Sequence, residues 1–215
     1  MPFAARVTDM TSHSPPLSPG PGSLNVFIGF LPAWRALPAA MGGAVDAISN
    51  SMNSFMMRPQ MTPVDATASI AQISANLVQG GVAAAAAGSP AAATAASTSV
   101  TAVNTANVAL TTAWTAASAV PGGQPAANIA YTEGIKAAMA AAASAVMAAM
   151  AGISDMHICP IPVPIPPHGP GFVTKGSSTV VINNLPAARQ GDQVMEACGG
   201  ADPIALGCMQ VQIGG

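Results

Sequence analysis

The sequence predicts a mainly β architecture of three small lobes about a pseudo-threefold axis, interrupted by an inserted all-α, alanine-rich segment. Composition switches sharply twice along the chain, a fourteen-residue pattern recurs three times, and the stretch from Ala66 to Thr132 carries no charge. Together these divide the chain into residues 1–36, 37–153 and 154–215.

The outer blocks are rich in proline and glycine and hold short β-branched runs such as Leu24-Asn25-Val26-Phe27-Ile28, a pattern of strands and tight turns. The middle block is dominated by Ala, Ser, Thr and Met and reads as helix. Only 7% of the 215 residues are charged, against roughly 25% in ordinary soluble domains. The net charge of −2 comes without any basic cluster, which excludes electrostatic capture of nucleic acid. Three cysteines, Cys159, Cys198 and Cys208, are too few and too uneven for a disulfide framework. The first twenty residues lack an apolar run, so no secretory signal is expected there. The expectation is assembly in the cytoplasm with reduced thiols.

The repeat sets the lobes. Gly22 to Arg35 reads GSLNVFIGFLPAWR, and Gly176 to Arg189 reads GSSTVVINNLPAAR, ungapped over fourteen positions. A third copy starts at Gly207 as GCMQVQIGG and is completed from the other terminus by Pro2 to Arg6, PFAAR. Arg6 is followed three residues later by Asp9, and Arg189 by Asp192; removing residues 37–153 gives Arg35 the same relation to Asp155. The pairs Val26/Ile28, Val180/Ile182 and Val211/Ile213 are therefore expected to face one shared interior. Six such side chains contribute about 1.5–3 kcal/mol each, against an ordering cost of about 1–2 kcal/mol per residue. So thin a core gains from a staple such as a structural metal.

These repeats resemble the PAAR family, through Pro186-Ala187-Ala188-Arg189 and its two counterparts. Ala4 to His13, AARVTDMTSH, resembles the element that precedes PAAR domains in type VI secretion effectors, and Asp155 to Pro160 with Pro166 to Gly171 resembles a further PAAR-like hallmark. The resemblance covers about 98 residues, all outside the insertion. It implies a β-cone seated on the trimeric spike of a type VI or related contractile system, with one zinc held near its apex by three histidines and one cysteine. Two departures stand out: Trp34 replaces the second alanine of one motif, and no C-terminal toxin is expected after the tip.

The chain's three histidines, His13, His157 and His168, all lie in the tip blocks, and Cys159 follows Asp155 by four residues as His13 follows Asp9. These four are the candidate ligands of a closed, structural zinc site, one per chain. Cys198 is the alternate thiolate. The plain reading of scattered histidines as surface residues is outweighed by their confinement and register. Cys208 occupies a position held by Ser23 and Ser177 and reads as a small buried filler. The Arg and Asp recurring once per lobe read as turn hydrogen bonds and ion pairs rather than acid–base catalysts. The proline-rich run from Pro160 to His168 is too stiff to be helical and holds ligands apart.

The insertion is expected to be an autonomous module whose ends meet at one lobe. Residues 137–153 are uncharged and at the lower length limit of a membrane span. Val100 to Val120 is a second uncharged helix, separated from it by a break at Pro121-Gly122-Gly123. Two readings stand side by side: a membrane-entry hairpin needing a chaperone, and a small-residue bundle packed on itself or on the spike. The expected function is a non-enzymatic, zinc-stabilised tip that sharpens the spike and is secreted or injected with it. The alternative is an effector whose hairpin enters the target membrane. A zinc hydrolase fits poorly, since HExxH, a nucleophile elbow and a phosphate loop are all absent.

Overall fold

A computed structural model describes residues 1–162 and 167–215. Short strands open the chain: β1 (Phe3–Ala4), β2 (Pro19–Gly20), β3 (Phe27–Ile28) and β4 (Leu31–Pro32). Four helices follow: α1 (Ala39–Met56), α2 (Pro63–Ala86), α3 (Pro90–Ser118) and α4 (Gln124–Ala149). The remaining strands are β5 (Met156–Pro162), β6 (Pro167–Val173), β7 (Val181–Ile182), β8 (Leu185–Pro186), β9 (Gln193–Glu196), β10 (Gly200–Pro203) and β11 (Cys208–Gln212). The chain is thus a β tip with an inserted helical segment.

Each copy of the repeat folds as a small antiparallel pair. β3 pairs with β4 and β7 with β8 through two-residue turns. Asn183 and Asn184 take positive φ, as a primed turn requires, and asparagine tolerates that conformation well. The third pair joins the chain's two ends, β1 against β11, with Phe3 opposite Gln212 and Ala4 opposite Cys208. Isolated bridges then link the lobes cyclically: Arg6 to Ala33, Arg35 to Ala187, and Arg189 to Ala4. Inside them runs a closed ring of backbone hydrogen bonds. Ala5 N donates to Ala188 O (3.0 Å), Ala188 N to Trp34 O (3.0 Å), and Trp34 N to Ala5 O (2.9 Å).

Ile28, Ile182 and Ile213 are buried together on the lobe axis with Ala4, Ala33 and Ala187. Val26 and Val180 pack against them. Val211 does not; it is exposed, because the pairing of β1 with β11 carries a register shift between Phe3 and Ala4 that turns its side chain outward. Trp34 occupies the next layer, fully buried with Leu17, Val173 and Ile204.

Each lobe closes with an ion pair: Arg6–Asp9 at 2.7 Å, Arg35–Asp155 at 2.6 Å and Arg189–Asp192 at 2.9 Å. The second pair joins residues flanking the helices, and Ser154 Oγ donates to Arg35 O nearby (2.9 Å). The helices start and stop at local signals. Thr62 and Asp65 form a capping box at α2, α3 begins with Pro90, and residues 119–123 separate α3 from α4.

The helical core continues into the tip. Phe172 of β6 and Met195 of β9 share one apolar cluster with Val45, Met52, Met139 and Val146. Gly42 of α1 lies against the backbone of Thr174, where a Cβ would collide with the Thr174 carbonyl. Helices α1 and α4 therefore lie directly on the five-stranded sheet, ordered β10-β9-β6-β5-β2. Among the described residues, no helix is long and apolar enough to cross a membrane.

Candidate metal centre

The five-stranded sheet gathers the chemistry. His157 and Cys159 are two residues apart on β5 and so face the same side, both fully buried. Cys159 stands opposite Gly169 on β6, which places His168 beside it. Glu196 ends β9, paired with Gly171 of β6. His13 arrives from the loop between β1 and β2, which is fastened by bridges from Met10 to Pro16 and from Thr11 to Ile204. Asp202 of β10 fixes that loop: its Oδ1 accepts from Ser12 Oγ (2.8 Å) and from His13 N (2.9 Å).

Four donor atoms converge. His13 Nδ1 and His168 Nδ1 are 3.2 Å apart, and Cys159 Sγ is 3.9 Å from the first and 3.6 Å from the second. Glu196 Oε2 lies 2.5 Å from His168 Nδ1 and 3.3 Å from His13 Nδ1. In a tetrahedral site with ordinary zinc bond lengths, nitrogens are about 3.3 Å apart and a nitrogen and a sulfur about 3.6 Å. The nitrogen and sulfur spacing suits such a cation, while Glu196 Oε2 stands at hydrogen-bond distance from His168 Nδ1, closer than two ligands of one ion. A second group, His157, Cys159, Glu196 and Asp202, overlaps the first, and each group keeps its ligand atoms within 4.8 Å of one another.

Burial disfavours charge throughout this pocket. It pushes the Cys159 thiol up to about 12, with Glu196 and Asp202 adding to the rise. It raises Glu196 and lowers His157 from their ordinary values. Thiol, carboxyl and imidazole are each pushed towards the neutral form; a divalent cation reverses this for thiol and carboxyl, and the neutral imidazole is already the form that binds metal. Among the described residues, neither ring nitrogen of His157 nor Oδ2 of Asp202 has a well-formed hydrogen bond. Buried polar atoms without partners mark a place where a further ligand fits.

Of the residues expected from the sequence, His13, Cys159 and His168 meet in one group, while His157 belongs to the overlapping one. Cys198 sits apart from both, in the apolar cluster with Phe172 and Met195. Cys208 is buried in the lobe core. Residues 163–166 of the proline-rich run lie outside the described residues. Sequence reasoning missed Glu196 and Asp202. The signal for Glu196 was present: it is the single acid in the otherwise uncharged run from Val194 to Gly200.

A family model described as PAAR motif matches the chain over residues 143–201 and again over 163–215. The C-terminal third of the chain, residues 143–215, thus carries the PAAR motif, which supports a PAAR-type spike-tip protein. No curated protein and no solved structure matches it. The PAAR tetrapeptide has a separate task for each residue after its proline. Ala187 packs on the lobe axis, Ala188 joins the hydrogen-bonded ring, and Arg189 binds Asp192. Trp34 keeps the ring's backbone bonds although its side chain is far larger than alanine, because the neighbouring layer buries it completely. PAAR-type tips serve secretion machinery, and this one brings together the kinds of side chain that bind metals.

Proposed function

We propose that the chain is a non-enzymatic, zinc-stabilised tip that caps the trimeric spike of a contractile, type VI-like secretion machine, for membrane puncture and effector delivery. It assembles in the cytoplasm and is expelled with the spike. Residues 1–36 and 154–215 form the tip and residues 37–153 the helical insertion, which acts as a cover for the sheet that carries the metal ligands. His13, Cys159 and His168 hold the zinc, with a fourth donor from His157 or Glu196.

The closed ring through Ala5, Trp34 and Ala188 carries this reading. It makes one chain present three near-equivalent lobes, and a threefold partner offers three equivalent surfaces, so a single tip suffices per trimer. The lobes also expose apolar side chains at Leu24, Phe27, Phe30, Val181 and Met209, which offer contact area. The staple is needed because the lobe interior is small.

Native mass spectrometry of the tip with its trimeric spike tests the proposal in one measurement. The expected complex holds one tip, three spike chains and one zinc. A complex of three tips on three spike chains, or a folded tip without zinc, refutes it.

A further inference from the structure

His157 and Glu196 compete for the fourth position of the metal centre, and the surroundings of the two differ. Glu196 is fully buried. Its carboxylate contacts His13 Nδ1 and His168 Nδ1, the two imidazole atoms that also face Cys159 Sγ. Asp202 is equally buried but is held by a hydroxyl and a backbone amide. Glu196 has neither a hydroxyl nor a backbone amide as donor; its neighbours are the imidazoles of His13 and His168 and the Cys159 thiol, and among the described residues neither Lys nor Arg pairs with it. A buried carboxylate needs a cation or donors of its own. If a metal took His157 instead, Glu196 would stay buried against the imidazoles of His13 and His168 without coordinating the ion.

The turn after β9 is shaped around the same atoms. A Cβ at Gly199 would overlap both Glu196 Oε2 and His168 Nδ1. The glycine leaves a cradle at the edge shared by carboxylate and imidazole. His157, by contrast, faces Asp202 Oδ2 across 3.9 Å.

We infer that Glu196 is the fourth metal ligand, completing a site of two histidines, one cysteine and one glutamate, and that His157 lies outside the coordination shell. This rests on the metal reading of the tip. It departs from the three histidines and one cysteine that the family resemblance implies. Within the shell, thiolate and carboxylate together match the charge of a divalent cation, and both imidazoles bind through Nδ1.

The full-length protein, labelled with 15N-histidine and loaded with zinc, provides the test. Long-range 1H–15N spectra are expected to show His13 and His168 coordinated through Nδ1 and His157 uncoordinated. Three coordinated histidines overturn the assignment, and this readout needs no variant to fold. Zinc affinity, measured by competition with a chelator, is expected to fall at least tenfold in Glu196→Gln, the lower end of what even an outer partner of a ligand costs. In His157→Asn it is expected to change less than threefold. The reverse order overturns the inference while leaving zinc binding intact. Failure of the wild-type protein to bind zinc overturns the metal reading itself.

Discussion

Asp155 is the residue whose loss tests the lobe architecture most directly. Its carboxylate is fully buried and accepts four hydrogen bonds: from Gly22 N (2.9 Å), Arg35 N (2.7 Å), Arg35 Nε (2.9 Å) and Arg35 Nη2 (2.6 Å). Asp155→Ala leaves two backbone amides and a guanidinium without their acceptor. Breaking a buried pair in this way costs about 3–5 kcal/mol. Arg35 keeps 15% of its side chain exposed and regains some water, so the lower half of that range, about 3–4 kcal/mol, is expected. For a chain of this size each kcal/mol shifts Tm by roughly 2–4 °C, which gives a drop of roughly 6–16 °C by thermal circular dichroism. Asp192→Ala is the internal comparison. It removes the equivalent pair, but Asp192 and Arg189 are three residues apart and both partly exposed, so a smaller loss is expected. Asp155 instead fastens residues 120 apart in sequence. Equal losses in the two variants, or a drop below about 3 °C for Asp155→Ala, refute the view that this pair holds the insertion's two ends to one lobe.

Two further outcomes follow from the packing. Deleting residues 1–5 removes β1, two buried alanines and one side of the hydrogen-bonded ring while sparing His13; a Tm drop comparable to that of Asp155→Ala is expected, and an unchanged melt refutes closure of the third lobe by both termini. Phe172→Ala opens a cavity where the sheet meets the helices, at a cost of about 3–5 kcal/mol. The two tryptophans report separately, Trp34 in the tip and Trp114 on α3. Trp114→Phe and Trp34→Phe backgrounds are expected to show a single shared transition, moved down together by Phe172→Ala. Two separate transitions refute a common core.

Much of the tip was legible because its information is local and repeated. The strand pairs at 27–32 and 181–186, the union of the two ends and the Arg–Asp spacing across the insertion all follow from a fourteen-residue register. Val211 escaped it, since a register shift in a lobe assembled from two chain ends is not written in either half. The metal-ligand types were legible for the same reason as the lobes. The acid in the donor group was not. Glu196 and Cys198 are two residues apart, a spacing that puts side chains on one face only while the strand continues. β9 stops at Glu196 and a turn follows. The acid therefore stays in the donor group while the thiol enters the apolar cluster beneath the helices.

The helix–sheet contact was invisible for a different reason. A helix announces its partner through a contrast between apolar and polar faces. Here α1 and α4 make the contact, and the run from Ala137 to Ala149 in α4 supplies little contrast, because Ala and Ser fit either a crowded interface or an exposed face. The deciding residues are few: Gly42 against Thr174, and Phe172 with Met195 beneath the bundle. They lie on opposite sides of the composition boundary that divides the chain into blocks. Ends that meet at one lobe, as Arg35 and Ser154 do, are compatible with a free-standing module. A shared apolar cluster makes the two parts depend on each other. The strands under the helices are β6 and β9, which also carry His168 and Glu196. Order in the bundle and order in the metal centre are thereby set by the same two strands.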